Sequence, residues 1–222
     1  MKTGGIMSRL TIERKVLEKN DAIADDLRKS FKGNKIFSIN LVSSPGSGKT
    51  SLVEKTIANS SAKIKIAVIE GDVQTDLDAQ RVEAFDIPVV QIVTNGGCHL
   101  EAGLVRDAYK QIDCKAVELL IIENVGNLVC PAGYDLGEDL KVVIVSTTEG
   151  DDKPLKYPAM FRNSGVLIIN KIDLVPYTGC SLERLKANAL AINPSLKVFE
   201  TSCTTGEGIN KWCDWLESKI IK

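Results

Sequence analysis

No stretch of this 222-residue chain approaches the roughly 20 consecutive apolar residues of a membrane-spanning helix. The opening Met1-Lys2-Thr3-Gly4-Gly5-Ile6-Met7 has no hydrophobic signal core, so a cytoplasmic location is expected. Met7 is an alternative start, with residues 1–6 a leader. An excess of one charge is lacking too. The 28 basic and 29 acidic residues leave a net charge of −1, which gives no electrostatic footprint for nucleic acid or a membrane surface. Histidine occurs once, and no two of the six cysteines form a C-x-x-C pair, which argues against a structural zinc ribbon. Disulfides are not expected in such a setting, and Cys114, Cys180, Cys203 and Cys213 read as ordinary thiols. Internal repeats and low-complexity linkers are absent as well. The length suits one ordinary domain with a short appendage.

What is present begins with an apolar run, 36–42, that leads into Ser43-Ser44-Pro45-Gly46-Ser47-Gly48-Lys49-Thr50. A strand followed by such a loop is a phosphate cradle. Gly46, Ser47 and Gly48 offer backbone N–H groups at close range, Lys49 reaches the β and γ phosphates, and Thr50 supplies a hydroxyl for Mg²⁺. Ser51 opens the helix whose positive end faces the phosphates. The motif departs from its usual form at Ser43, where glycine is common. Further β-branched runs at 64–69, 89–93, 117–122, 141–146, 165–169 and 196–199 alternate with helical patterns near 49–59, 78–85, 99–112, 155–162, 181–191 and 208–220. The pattern predicts an α/β fold, a doubly wound and mostly parallel sheet with helices on both faces. Residues 1–33 read as a leader and helical extension, with a break near Asn20-Asp21, ahead of a P-loop domain at 34–222.

Ligands in such sheets sit at the carboxyl ends of the strands. After the 165–169 strand come Asn170-Lys171-Ile172-Asp173. A carboxylate at Asp173 can accept from both the ring N–H and the amino group of guanine, Lys171 can cover the base, and Asn170 can hold neighbouring loops. The alternative is a simple helix cap. Ser202 and Cys203 fall in a second base-side loop after 196–199. On the phosphate side, Glu123 and Gly126 follow the 117–122 strand as a γ-phosphate sensor. Asp72 and Asp76 follow 64–69 as candidates for orienting water and supporting Mg²⁺, against plain solvation in a loop.

The single histidine stands in Gly97-Cys98-His99, and Cys130 lies seven residues beyond Glu123. Both segments leave the same sheet edge as the nucleotide site. Cys98, His99 and Cys130 are a ligand set suited to Zn²⁺ or Ni²⁺. Spacing alone also allows buried cysteines and a helix-capping histidine.

Residues 43–50, Glu70-Gly71-Asp72-Val73-Gln74-Thr75-Asp76, Gly97-Cys98-His99, Glu123-Asn124-Val125-Gly126-Asn127-Leu128-Val129-Cys130-Pro131, residues 152–158 and Asn170-Lys171-Ile172-Asp173 together resemble the HypB family, over 8–222 in order. The resemblance implies a cytoplasmic, SIMIBI-type GTPase acting on GTP, yielding GDP and phosphate with Mg²⁺. On the reading of the strand ends above, the catalytic roles in such an enzyme fall to Lys49, Asp72, Asp76 and Glu123, with Thr50 and Asp76 around Mg²⁺. It further implies a nucleotide-dependent homodimer with a shared metal site at Cys98, His99 and Cys130. The implied task is nickel insertion into [NiFe]-hydrogenase, with a HypA-type nickel chaperone and the hydrogenase large-subunit precursor as partners. Residues 1–40 contain neither Cys nor His, so the N-terminal nickel motifs of some members are not expected. A urease-type nickel accessory GTPase, or a metal buffer with a vestigial nucleotide site, are the alternatives.

Overall fold

The computed structural model describes residues 4–74, 77–113 and 117–220, with the side chains of 4–14 and 77 excepted. Asp76 and Cys114 therefore lie outside the described residues. Seven strands form one sheet: β1 (Phe37–Ser43), β2 (Ile66–Asp72), β3 (Val89–Val93), β4 (Leu119–Glu123), β5 (Leu140–Ser146), β6 (Val166–Asn170) and β7 (Lys197–Glu200). Their order is β3-β2-β4-β1-β5-β6-β7, and every neighbouring pair is parallel. The helices are α1 (Gly4–Gly33), α2 (Lys49–Ser60), α3 (Leu77–Glu83), α4 (Ala102–Tyr109), α5 (Lys153–Lys156), α6 (Pro158–Arg162), α7 (Leu182–Ile192) and α8 (Ile209–Ile220). None of the described helices is long and apolar enough to cross a membrane.

The unbroken apolar runs are explained by burial on both faces. Ile39, Leu41, Val68, Leu119, Ile121, Val142 and Ile144 point to one face and pack with Leu52, Val53 and Ile57 of α2 and Trp212 and Leu216 of α8. The alternate residues point the other way. Ala67, Ile69, Leu120 and Ile122 meet α1 and α4, while Val143, Val145, Leu167 and Ile169 meet α6 and α7. Trp212 Nε1 donates to Thr56 Oγ1 at 3.0 Å, which seats α2 on α8 and steadies the helix that follows the phosphate loop.

Three of the differences from expectation have a clear physical reason. α1 runs through Asn20-Asp21 without a break, because the Asn20 side chain is turned away from its own backbone. It donates to Asp135 O and accepts from Ala102 N, each at 2.8 Å, and so caps α4 from a neighbouring helix. The segment expected as one helix at 155–162 is two short ones, since Pro158 drives Tyr157 out of helical geometry (φ −126°, ψ 51°). Finally, α4 starts at Ala102, which leaves His99 in a loop and not at a helix cap.

Candidate nucleotide and metal site

The departure at Ser43 has a simple resolution. β1 continues through Ser43, so this position is extended strand and needs no glycine. Its hydroxyl is buried, accepts from Lys49 Nζ at 3.2 Å and donates to Ser44 O at 2.6 Å. Glycine is needed later. Gly46 (φ 75°) and Gly48 (φ 96°) adopt left-handed geometry, and a Cβ on Gly48 would collide with the Asn170 amide. α2 begins immediately at Lys49 with no side chain capping its N–H groups, a geometry that favours an anion. Sequence reasoning missed the support behind this loop. Glu149 accepts from Ser47 Oγ at 2.6 Å and Ser146 N at 2.9 Å, while Lys153 lies 3.1 Å from it and donates to Ser44 Oγ at 3.2 Å. Burial opposes ionisation of Glu149, yet the Ser47 and Ser44 hydroxyls, the Ser146 amide and Lys153 hold its carboxyl below the usual range. The Ser146-Thr147-Thr148-Glu149 capping box was its legible signal.

On the base side, Asn170 is buried at the end of β6. Its amide donates to Ser47 O at 2.9 Å, and its oxygen accepts from Thr201 Oγ1 and Cys203 N, each at 3.3 Å. One side chain thus ties the phosphate loop to the loop after β7. Lys171, left-handed at φ 61°, donates to Gly46 O at 2.7 Å. Asp173 Oδ1 is buried without a protein hydrogen-bond partner, which fits an acceptor for a base N–H. Ser202 is fully buried and serves its own turn, accepting from Thr205 N at 3.0 Å. Cys203 is half-buried, and burial raises its thiol to about 11, so it is no reactive nucleophile.

The phosphate-side cleft has a volume of about 460 Å³ and is lined by the loop, Asp72, Glu123 and Gly126. Thr50 Oγ1 donates to Glu123 Oε1 at 2.8 Å. Gly126 packs so closely on Pro45 that a Cβ would lie 3.1–3.2 Å from its ring and backbone, which brings 123–126 into contact with the phosphate loop. Two acids stand here that were not chosen from sequence. Glu70 and Asp78 present carboxylate oxygens within 4.8 Å of each other and of Glu123. Burial first, then the adjacent Glu123, push the Glu70 carboxyl up to about 11, so it is neutral near pH 7. Burial also raises Glu123, with Lys49 opposing. An all-oxygen set beside a threonine hydroxyl is hard-cation chemistry and fits Mg²⁺. Glu70 was legible as the acid that directly follows the apolar run Ile66-Ala67-Val68-Ile69. Asp72 ends β2 at the cleft wall and accepts from Gln74 N at 3.0 Å. Ser51 meets Arg81 of α3 at 3.3 Å, and Arg81 is held by Glu54 and Asp78.

Cys98, His99 and Cys130 converge, with ligand atoms all within 4.8 Å of one another. Cys98 Sγ lies 3.4 Å from His99 Nδ1. Contact with Cys130 raises the Cys98 thiol, and burial lowers His99, which keeps the imidazole neutral and able to ligate. The His99 ring lies against Tyr134, centroids 4.0 Å apart. Two thiols and an imidazole suit Zn²⁺ or Ni²⁺, and the buried alternative is excluded for Cys98, which is exposed.

This parallel sheet, with a glycine-rich loop between its central strand and α2, is a P-loop NTPase fold. The model of the CobW/HypB/UreG nucleotide-binding domain matches residues 37–200. The chain belongs to that family and, within it, to the HypB maturation factors. It is 50% identical over 206 residues to the hydrogenase maturation factor HypB of Azotobacter chroococcum, which covers 93% of this chain and 68% of the relative. The crystal structure of HypB from Archaeoglobus fulgidus is 39% identical with a TM-score of 0.86, covering 92% of this chain and 100% of that one. HypB from Helicobacter pylori, crystallised in complex with nickel, is 35% identical with a TM-score of 0.86, covering 90% and 94%.

Proposed function

We propose that this chain is a GTP-hydrolysing metallochaperone that carries nickel or zinc and assists nickel insertion into a [NiFe]-hydrogenase. The observation that supports it best is the path from β4. Its last residue, Glu123, bonds Thr50 in the cleft, and the connection that follows brings Cys130 to Cys98 and His99. In this reading Lys49 and the amides of Gly46, Ser47 and Gly48 hold the triphosphate, and Asp173 selects guanine with Lys171 alongside. Thr50, Glu123, Glu70 and Asp78 hold Mg²⁺, together with Asp76, the acid expected there from the sequence, which lies outside the described residues. Magnesium, when bound, neutralises charge on the phosphate oxygens. Asp72 orients the attacking water. The metal at Cys98, His99 and Cys130 is cargo. A γ-phosphate that moves residues 123–126 also moves Cys130, so nucleotide and metal affinities change each other by the same factor.

A GTP-linked dimer would pool six ligands, enough for two four-coordinate ions if two thiolates bridge. A HypA-type chaperone and the hydrogenase precursor are the expected partners. Phosphate release from GTP by the parent and by Lys49→Ala, with bound Ni²⁺ and Zn²⁺ measured in GDP and in a non-hydrolysable GTP analogue, tests the reading. Hydrolysis lost in the variant, with metal content that differs between the nucleotides, is expected. Absent hydrolysis in the parent, or metal content indifferent to nucleotide, would overturn it.

A further inference from the structure

The interior of a parallel sheet is a costly place for amide side chains. Asparagine is a poor strand former, and its donors and acceptors lose water on burial. Asn40 nevertheless sits in the middle of β1, fully buried between Ile39 and Leu41, and Asn124 is 1% exposed directly after β4. They bond each other, Asn124 Nδ2 donating to Asn40 Oδ1 at 3.2 Å.

The hydrogen-bonded chain continues from both ends. Asn124 Oδ1 accepts from Leu100 N and Val125 N, each at 3.0 Å. Leu100 directly follows His99 and is seated over Gly71, where a Cβ would lie 2.8 Å from its methyl groups. In the other direction, Asn40 Nδ2 donates to Glu138 Oε1 at 3.1 Å. Lys141 Nζ lies 3.6 Å from that oxygen and donates to Tyr134 O at 2.8 Å and Pro131 O at 3.2 Å. Pro131 follows Cys130, and Tyr134 carries the ring beneath His99. One buried chain therefore closes on both halves of the ligand trio, and its pivot, Asn124, is the residue after the Thr50 partner Glu123.

We propose that the chain Asn124, Asn40, Glu138 and Lys141 positions Cys98, His99 and Cys130 for a thiolate-binding divalent cation, with Asn124 passing displacements of Glu123 to the metal loops. This rests on the metal-carrying reading above. A buried, fully paired network holds its members to one arrangement, whereas a broken one leaves desolvated groups unpaired. Without Asn124 the Leu100 amide loses its acceptor and the His99 backbone is released. Without Lys141 the turn that follows Cys130 loses the cation on two of its carbonyls. These are positioning residues, since none of the four is a ligand.

The test uses the full chain, Ni²⁺ against a competing chelator, and the Ni²⁺–thiolate charge-transfer spectrum. Asn124→Ala, Asn40→Leu and Lys141→Met are compared with the parent and with Cys130→Ser, and GDP affinity reports folding. We expect Ni²⁺ affinity to fall about tenfold or more in the three variants, as for other supports of metal ligands, with a shifted charge-transfer band. GDP affinity should be unchanged in Asn40→Leu and Lys141→Met, which do not line the cleft. The affinity ratio between GTP analogue and GDP should collapse in Asn124→Ala. A merely structural role would lower thermal stability and leave the band in place. If the parent loses Ni²⁺ in Cys130→Ser while the folded variants keep parental affinity and spectrum, the inference is overturned and the metal reading stands. A parent whose Ni²⁺ survives Cys130→Ser overturns both. Should Asn124→Ala fail to bind GDP, Lys141→Met, remote from the cleft, decides alone.

Discussion

Glu70 on β2 and Glu123 on β4 are register partners on adjacent parallel strands, so their side chains leave the sheet on the same face and meet beneath the phosphate loop. Burial first, and then the neighbouring Glu123, push the Glu70 carboxyl from an ordinary 4.5 up to about 11.

The pH dependence follows with a definite sign. Between its ordinary value and about 11 the folded state holds a proton on Glu70 that the unfolded chain has released. Stability of the metal- and nucleotide-free protein therefore falls as pH rises through that window, by at most about 1.4 kcal/mol per pH unit from this one group. Glu70→Gln removes the contribution. In EDTA, its Tm advantage over the parent should widen between about pH 5 and pH 8. A constant difference across that range would show that Glu70 ionises normally.

Gly126→Ala places a methyl 3.1–3.2 Å from Pro45, tighter than ordinary contact, so the 123–126 loop must withdraw from the phosphate loop. In the proposed reading it is the γ-phosphate, which GDP lacks, that this loop senses. Affinity for a GTP analogue should drop by several-fold or more while GDP affinity holds, measured by calorimetry. Equal losses for both nucleotides would place Gly126 outside γ-phosphate sensing.

Asp173→Asn converts an acceptor-only carboxylate into a group that also donates. Affinity for GTP should fall about 10- to 100-fold, the worth of about one hydrogen bond to a charged group, and preference should move toward xanthine nucleotides. Unchanged discrimination in competition binding would reject the base assignment.

Cys98→Ala and Cys130→Ala should each lose Zn²⁺ or Ni²⁺ with GDP binding intact, because each removes one member of the converging trio. In the parent, metal affinity should weaken as pH falls, since protons compete for the thiolates. Metal titrations indistinguishable from the parent would make both cysteines structural.

The phosphate loop, the Asn170-Lys171-Ile172-Asp173 motif and the strand sequence were legible because each is local. A turn needs its glycines at adjacent positions, and a doubly covered strand needs an unbroken apolar run. Ser43 was legible as a departure but not as harmless, because only the strand's length shows that the chain has not yet turned there. Asn20 read as a helix breaker, since its partners, Asp135 and Ala102, are 115 and 82 residues away.

By itself, the sequence determined the layered α/β architecture, the nucleotide loop and the identity of the three metal-ligating candidates, all of them carried by residue type and short-range spacing. Only the tertiary structure decided which acids meet at the cleft. Strand order β3-β2-β4-β1 puts Glu70 beside Glu123, although 53 residues separate them. It likewise decided that Asn40 and Asn124, unremarked in the sequence, pair inside the sheet. Register across a parallel sheet is set by the packing of entire strands and their crossover helices, and no local pattern encodes which buried polar side chains will face one another.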